Sequence, residues 1–286
     1  MASIKNYLSL VKFSHTVFAI PFAIVGFFMA VSWGDYTLDF TLLLLVLLDM
    51  VWARNAAMGF NRYIDREIDA KNKRTAIRDI PAGKISKHAA IIFVVVNSLL
   101  FLLTTFFINR LTFYLAPIAL LVILGYSYTK RFTSLCHIIL GVGIALSPIG
   151  AYLAVTGRFS LAPVLLSFVV FFWVSGFDII YALQDEEFDK ENNLKSIPVL
   201  LGKKKALYLS SILHFFSFVI LVYLGISYPL HIYYWIAVFV FSSLLLYQHL
   251  IVSPTNLSKV NLAFFTTNGI ASLIFGLLCV LDLLLK

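Results

Sequence analysis

Nine mostly apolar stretches of about 20 residues follow one another along this 286-residue chain, and they leave few folds open. They run approximately over 14–33, 40–60, 88–109, 111–128, 135–156, 161–182, 206–226, 230–252 and 260–284. Each is long enough to cross a hydrocarbon core of roughly 30 Å. In lipid every backbone polar group must find its partner within the protein, so only helices or closed barrels span it. The continuous apolar runs fit helices. Short turn-like links such as Trp33-Gly34-Asp35-Tyr36 and Ser227-Tyr228-Pro229 make consecutive helices antiparallel. The expected fold is therefore all-α, a multispan transmembrane bundle. Hydrophobic residues make up 61% of the chain and charged residues 13%, against roughly 45–50% and 25% in soluble domains. Cys136 and Cys279 both lie in apolar runs, which gives no sign of a disulfide framework or a zinc site. Ala30-Val31-Ser32 faintly resembles a signal-peptidase site, but an uncleaved first helix is the expectation.

A net charge of +8 would raise nucleic acid as a partner for a soluble domain. In a membrane protein the placement of the charges matters more. Eighteen of the 22 Lys and Arg fall in segments on one side, three on the other, and Arg54 inside a span. This bias predicts an integral membrane protein with its N-terminus in the cytoplasm and no nucleic-acid partner, and the bacterial cytoplasmic membrane is the expected location.

Ten of the 14 acids crowd into two short stretches, each at the cytoplasmic end of a span. The first holds Asp65, Glu67, Asp69 and Asp79; the second holds Asp178, Asp185, Glu186, Glu187, Asp189 and Glu191. Asp65 and Asp185 are 120 residues apart, as are Asp69 and Asp189, and Pro81 and Pro198 follow the two stretches. The chain thus reads as one domain over 1–286, built of two related four-helix halves, 14–130 and 135–252, with a ninth helix over 260–284. Such a duplication sets the acidic ends face to face. The spacing i, i+4, i+8 puts Asn61, Asp65 and Asp69 on one helical face, and Asp185 and Asp189 pair likewise. Carboxylates this close repel and call for a cation. Oxygen donors with no His or Cys among them point to Mg²⁺, completed by water and substrate phosphates. Arg66, Lys71, Arg74, Lys130, Arg131 and Lys195 are then candidates for the remaining phosphate oxygens. None of the six His shows ligand-like spacing, and none is assigned a catalytic role.

The run Asn61-Arg62-Tyr63-Ile64-Asp65-Arg66-Glu67-Ile68-Asp69, with Lys73-Arg74-Thr75-Ala76 after it, resembles the N-x-x-x-D-x-x-x-D motif of the UbiA superfamily of intramembrane prenyltransferases. Asp178-Ile179-Ile180-Tyr181-Ala182-Leu183-Gln184-Asp185 through Asp189, closed by Lys195-Ser196, looks like its second motif, and Tyr126-Ser127-Tyr128-Thr129-Lys130-Arg131 like a third signature. The resemblance covers nearly the whole chain. Its wording is most similar to 4-hydroxybenzoate polyprenyltransferases, a grouping that includes menaquinone-route enzymes acting on a carboxylated naphthalene. Arg78-Asp79-Ile80-Pro81 stands where many relatives have Arg-Pro-Leu-Pro, a departure that bears on acceptor identity.

The resemblance implies Mg²⁺-dependent transfer of a polyprenyl group from its diphosphate to a ring carbon of a small aromatic acid, in quinone biosynthesis, with membrane lipid around the tail. Asn61, Asp65 and Asp69 with Asp185 and Asp189 would hold two Mg²⁺, and Arg66, Lys71, Lys130 and Lys195 the diphosphate. Tyr126 and Tyr181 would offer π faces to an allylic cation. Arg54, a charge inside a span seven residues before Asn61, and Arg131 are the candidates for the acceptor's carboxylate. A secondary transporter is the rival from another class, although its ion site would be expected near the midplane.

Overall fold

The computed structural model describes residues 4–11, 18–34 and 36–285. The helices are α1 (Ile4–Leu10), α2 (Ile20–Trp33), α3 (Phe40–Ile64), α4 (Arg66–Lys71), α5 (Lys87–Ile108), α6 (Arg110–Thr129), α7 (Cys136–Thr156), α8 (Leu161–Ala182), α9 (Glu186–Glu191), α10 (Ile197–Ser227), α11 (Ile232–Ile251) and α12 (Asn268–Leu284). A π-helical stretch over Leu262–Thr267 leads into α12. Among the described residues eight helices are long and apolar enough to cross a membrane, and α2 is a shorter apolar one. Part of the expected span 14–33 lies outside the described residues.

Local chemistry sets the helix ends. Asp39 caps α3 by accepting from the Thr41 and Leu42 amides at 2.8 and 3.1 Å. Asn109 caps α6 through the Thr112 amide while its own amide donates to the Leu153 and Ala154 carbonyls, so one residue starts α6 and satisfies the end of α7. Gly157, at φ 61°, closes α7 in the left-handed conformation. Two boundaries differ from the sequence expectation. The second span runs on to Ile64, since Asn61 and Arg62 find partners or cover at its end. The span expected to start at 206 starts at Ile197, because a short helical piece capped by Ser196 precedes a break at Gly202, φ 75°.

Helix α8 is the centre of the bundle, packed between α7 and α10. Trp173 on α8 is fully buried among Phe22, Phe177 and Phe241, and its indole donates to Asn268 Oδ1 at 2.8 Å. Gln248 donates to the same oxygen at 2.7 Å, so one buried amide joins α8, α11 and α12. A dry core satisfies these groups internally or not at all. Large apolar side chains such as Phe106, Phe107, Leu121, Phe239 and Leu250 point outward, as a protein surrounded by lipid requires. The chain is an integral, multi-pass membrane protein.

Helix α2 packs against α7 and α12 rather than chiefly against its sequence neighbour α3. The approach to α7 is close enough that a Cβ on Gly26 would sit 2.1 Å from the Pro148 carbonyl oxygen.

Candidate active site

The two acidic segments meet at one end of the bundle, around a cavity of about 260 Å³. Its wall is drawn from the ends of α3, α6, α7 and α8 and from the segments that follow α3 and α8. Asp65 ends α3 and starts α4, at φ −89° and ψ 5°, so Asn61, Asp65 and Asp69 span a joint rather than one straight helix. The backbone register survives the joint: the Asp65 amide donates to Asn61 and the Asp69 amide to Asp65, at 2.9 and 2.7 Å. In the second segment a tight turn over Leu183–Asp185 makes the same joint before α9. All five of these side chains line the cavity.

Each of the four aspartates has its own cation. Arg131 Nη2 is 3.0 Å from Asp65, Arg78 Nη1 2.6 Å from Asp69, Arg74 Nη2 2.5 Å from Asp185 and Lys130 Nζ 2.9 Å from Asp189. Asn61 adds a hydrogen bond to Asp65 at 3.1 Å. Burial raises the Asp65 carboxyl above its ordinary value, against the pull of Arg131 and Lys130. For Lys130 burial opposes the charge, but Asp189 outweighs it and holds the ammonium above its ordinary value.

Other acids of the two stretches have separate duties. Asp79 accepts from Ser9 at 2.8 Å, Glu67 pairs with Arg66, and Glu186 and Glu187 lie near Lys203. Asp178 lies 2.7 Å from His137.

Of the expected phosphate partners, Arg74 and Lys130 line the cavity; Arg66, Lys71, Arg131 and Lys195 do not. Arg66 donates to the Tyr63 carbonyl and Glu67, and Lys195 donates to the Phe132 carbonyl. Arg62 and Arg78 stand in the cavity wall beside Arg74 and Lys130. Arg62 is 6% exposed, and among the described residues it has no ion-pair or hydrogen-bond partner. Sequence placement alone gave it only an orienting role. Arg131 is outside the wall too, fastened to Asp65 and to the Ile64 and Ser127 carbonyls. Tyr126 lines the cavity. Tyr181 does as well, but its ring stacks on Phe264 at 4.1 Å and its hydroxyl accepts from Arg74 at 2.7 Å.

Arg54 marks a junction. Together with Met58, Tyr126, Leu140 and Ile144 it borders both the polar cavity and a larger, apolar one of about 400 Å³ between α3, α5, α6 and α7. Its Nε is buried without a partner.

A polar cavity ringed with carboxylates and cations thus adjoins an apolar one within a bundle of membrane-spanning helices. Residues 19–270 match the UbiA prenyltransferase family, and the chain belongs to it. It is a prenyltransferase, which sets aside the transporter reading. It is 32% identical over 238 residues to a 4-hydroxybenzoate octaprenyltransferase of Vesicomyosocius okutanii, covering 83% of this chain and 86% of that one. It is 29% identical to the protein of that name from Tolumonas auensis, covering 83% of each. The apo structure of a UbiA homolog from Aeropyrum pernix superposes with a TM-score of 0.85 at 28% identity, over 94% of this chain and 98% of that one. A UbiA homolog from Archaeoglobus fulgidus bound to DMAPP and Mg²⁺ shares the fold, with a TM-score of 0.75 at 21% identity over 98% and 100% of the chains.

Proposed function

We propose that the chain transfers a polyprenyl group from its diphosphate to a ring carbon of a carboxylated aromatic acceptor, with 4-hydroxybenzoate as that acceptor. The observation that carries this is that the two cavities adjoin at Arg54: ionic partners for a diphosphate on one side, an apolar chamber for an isoprenoid tail on the other. The relatives named as 4-hydroxybenzoate octaprenyltransferases support the choice of acceptor.

The site suits a hard divalent cation. Its donors are all oxygens, and Asp69 Oδ2 is buried with no hydrogen-bond partner. Among the described residues no three acidic, His or Cys side chains form a ready-made cage. Mg²⁺ needs none, since it takes one or two carboxylates and fills its shell with water and phosphate oxygens. Asn61, Asp65 and Asp69 would hold it on one side and Asp185 and Asp189 on the other, where it would supply positive charge against the diphosphate leaving group. Arg62 and Lys130 complete the neutralisation, and Arg74 and Arg78 keep the aspartates oriented. Tyr126 gives a π face to the allylic carbon as its bond to oxygen weakens. Arg54, uncommitted and at the junction, binds the acceptor's carboxylate. We assign the acidic face to the cytoplasmic side of a bacterial inner membrane, on the charge bias of the loops.

The test is an assay of membranes bearing the protein, with labelled prenyl diphosphate and separate acceptors: 4-hydroxybenzoate, dihydroxynaphthoate and an amino-carboxynaphthalene. Label is expected in 4-hydroxybenzoate with Mg²⁺ and in nothing with excess EDTA. Label in a naphthoate alone would change the acceptor; label in none would overturn the function.

A further inference from the structure

His137 opens α7 and Asp178 lies near the end of α8, 41 positions away, yet His137 Nδ1 is 2.7 Å from Asp178 Oδ2. Both side chains line the polar cavity, as Tyr126 and Arg54 do. The imidazole is buried, and among the described residues its Nε2 has no hydrogen-bond partner. A carboxylate oxygen can only accept, so Nδ1 carries the proton shared with Asp178, and Nε2 is the ring nitrogen left to exchange one with a substrate. The other candidates for a base are occupied. Asp65, Asp69, Asp185 and Asp189 are each ion-paired, and the Cys136 thiol faces the Ser134 and Lys195 carbonyls. Among the described residues, His137 is the only histidine lining the cavity.

Aromatic transfer needs such a base. The prenyl C–O bond breaks and its electron pair leaves with the diphosphate. A ring π pair forms the new C–C bond, which leaves the ring carbon tetrahedral and the ring cationic. Aromaticity returns when that carbon's C–H pair falls back into the ring and the proton departs. We propose that the proton goes to His137 Nε2, with Asp178 as a positioning residue that orients the ring and balances the imidazolium. This assignment rests on the aromatic-acceptor function proposed above.

The purified wild type and His137→Gln and Asp178→Asn variants separate the steps. Binding of a non-reacting thiolodiphosphate analogue reports the folded diphosphate site. Scrambling of ¹⁸O between bridging and non-bridging positions of the prenyl diphosphate reports breakage of the C–O bond. Transfer to acceptor carrying deuterium at the alkylated carbon reports proton loss. H137Q is expected to bind the analogue and scramble ¹⁸O as the wild type does, while transfer kcat falls about 10²–10⁴-fold and gains a primary isotope effect. D178N is expected to lower kcat with the acceptor KM unchanged. Undiminished transfer by H137Q overturns the assignment, and so does parallel loss of binding, scrambling and transfer, which is the mark of a structural tie between α7 and α8. A wild type that transfers to no aromatic acceptor fails one step earlier, at the proposed function, and removes the assignment with it.

Discussion

Arg74 crosses from the segment after α3 to Asp185 at the end of α8, with Nη2 2.5 Å from Oδ2 and Nε 3.2 Å from Oδ1, and donates to the Tyr181 hydroxyl from Nη1. One guanidinium therefore clasps the two acidic segments together. It is one of four such pairs, and the cavity's acidic ring is neutralised carboxylate by carboxylate.

The Arg74 side of the clasp is 32% exposed and the Asp185 side 15%, so solvent screens the pair and it adds little to stability and much to geometry. Exposed ion pairs contribute about 0.2–1 kcal/mol. Arg74→Gln is expected to leave the thermal midpoint in detergent nearly unchanged while raising the KM for prenyl diphosphate. A large drop in midpoint would make Arg74 a structural residue instead.

Asp65 and Asp185 are expected to be indispensable for turnover. Asp65→Asn and Asp185→Asn keep the shape of the side chain and remove its charge, and each should lower kcat/KM by about 10²-fold or more. Both proteins should still insert and elute as the wild type does. A variant with full activity, or a wild type indifferent to EDTA, would refute the metal assignment.

For Arg54 the split between substrates is diagnostic. A hydrogen bond to a charged group is worth about 1.5–3 kcal/mol, so Arg54→Gln should raise the acceptor KM roughly tenfold to a hundredfold. The KM for prenyl diphosphate should stay where it was. An unchanged acceptor KM would leave Arg54 without this role.

Gly26 tests the packing apart from the chemistry. A Cβ there would meet the Pro148 carbonyl oxygen at 2.1 Å, backbone that cannot swing aside. Gly26→Ala should cost about 1–3 kcal/mol, read as a lower thermal midpoint, whereas alanine at Gly150, where a Cβ meets nothing within 4 Å, should cost far less.

The aspartates were legible in the sequence because their spacing repeats and because acids are scarce in such a chain. The cations around them were less so. Arg66 and Lys71 are as near in sequence to the aspartates as Arg74 is, yet of the three only Arg74 faces the cavity, while Lys130 reaches it from the end of α6. His137 gave no signal at all, because its partner lies 41 residues away on another helix. Arg62 looked like one more orienting charge until its burial and lack of a partner were visible. Helix count followed from apolar length, but the break at Gly202 did not, since glycine in an apolar run is ambiguous until its φ is known.

The notch where Gly26 meets Pro148 bears on how the protein is made. Helix α2 leaves the ribosome early, yet the surfaces that complete it belong to α7 and α12. Pro21 of α2 faces Gly276 of α12 so closely that a Cβ there would be 2.5 Å from the proline ring. Synthesis and assembly thus run in different orders: an early segment waits in lipid with its Gly26 face uncovered until α7 arrives and its Pro21 face uncovered until α12 is inserted. A chain stalled before α12 carries its acidic segments but lacks the helix against which α2 must close.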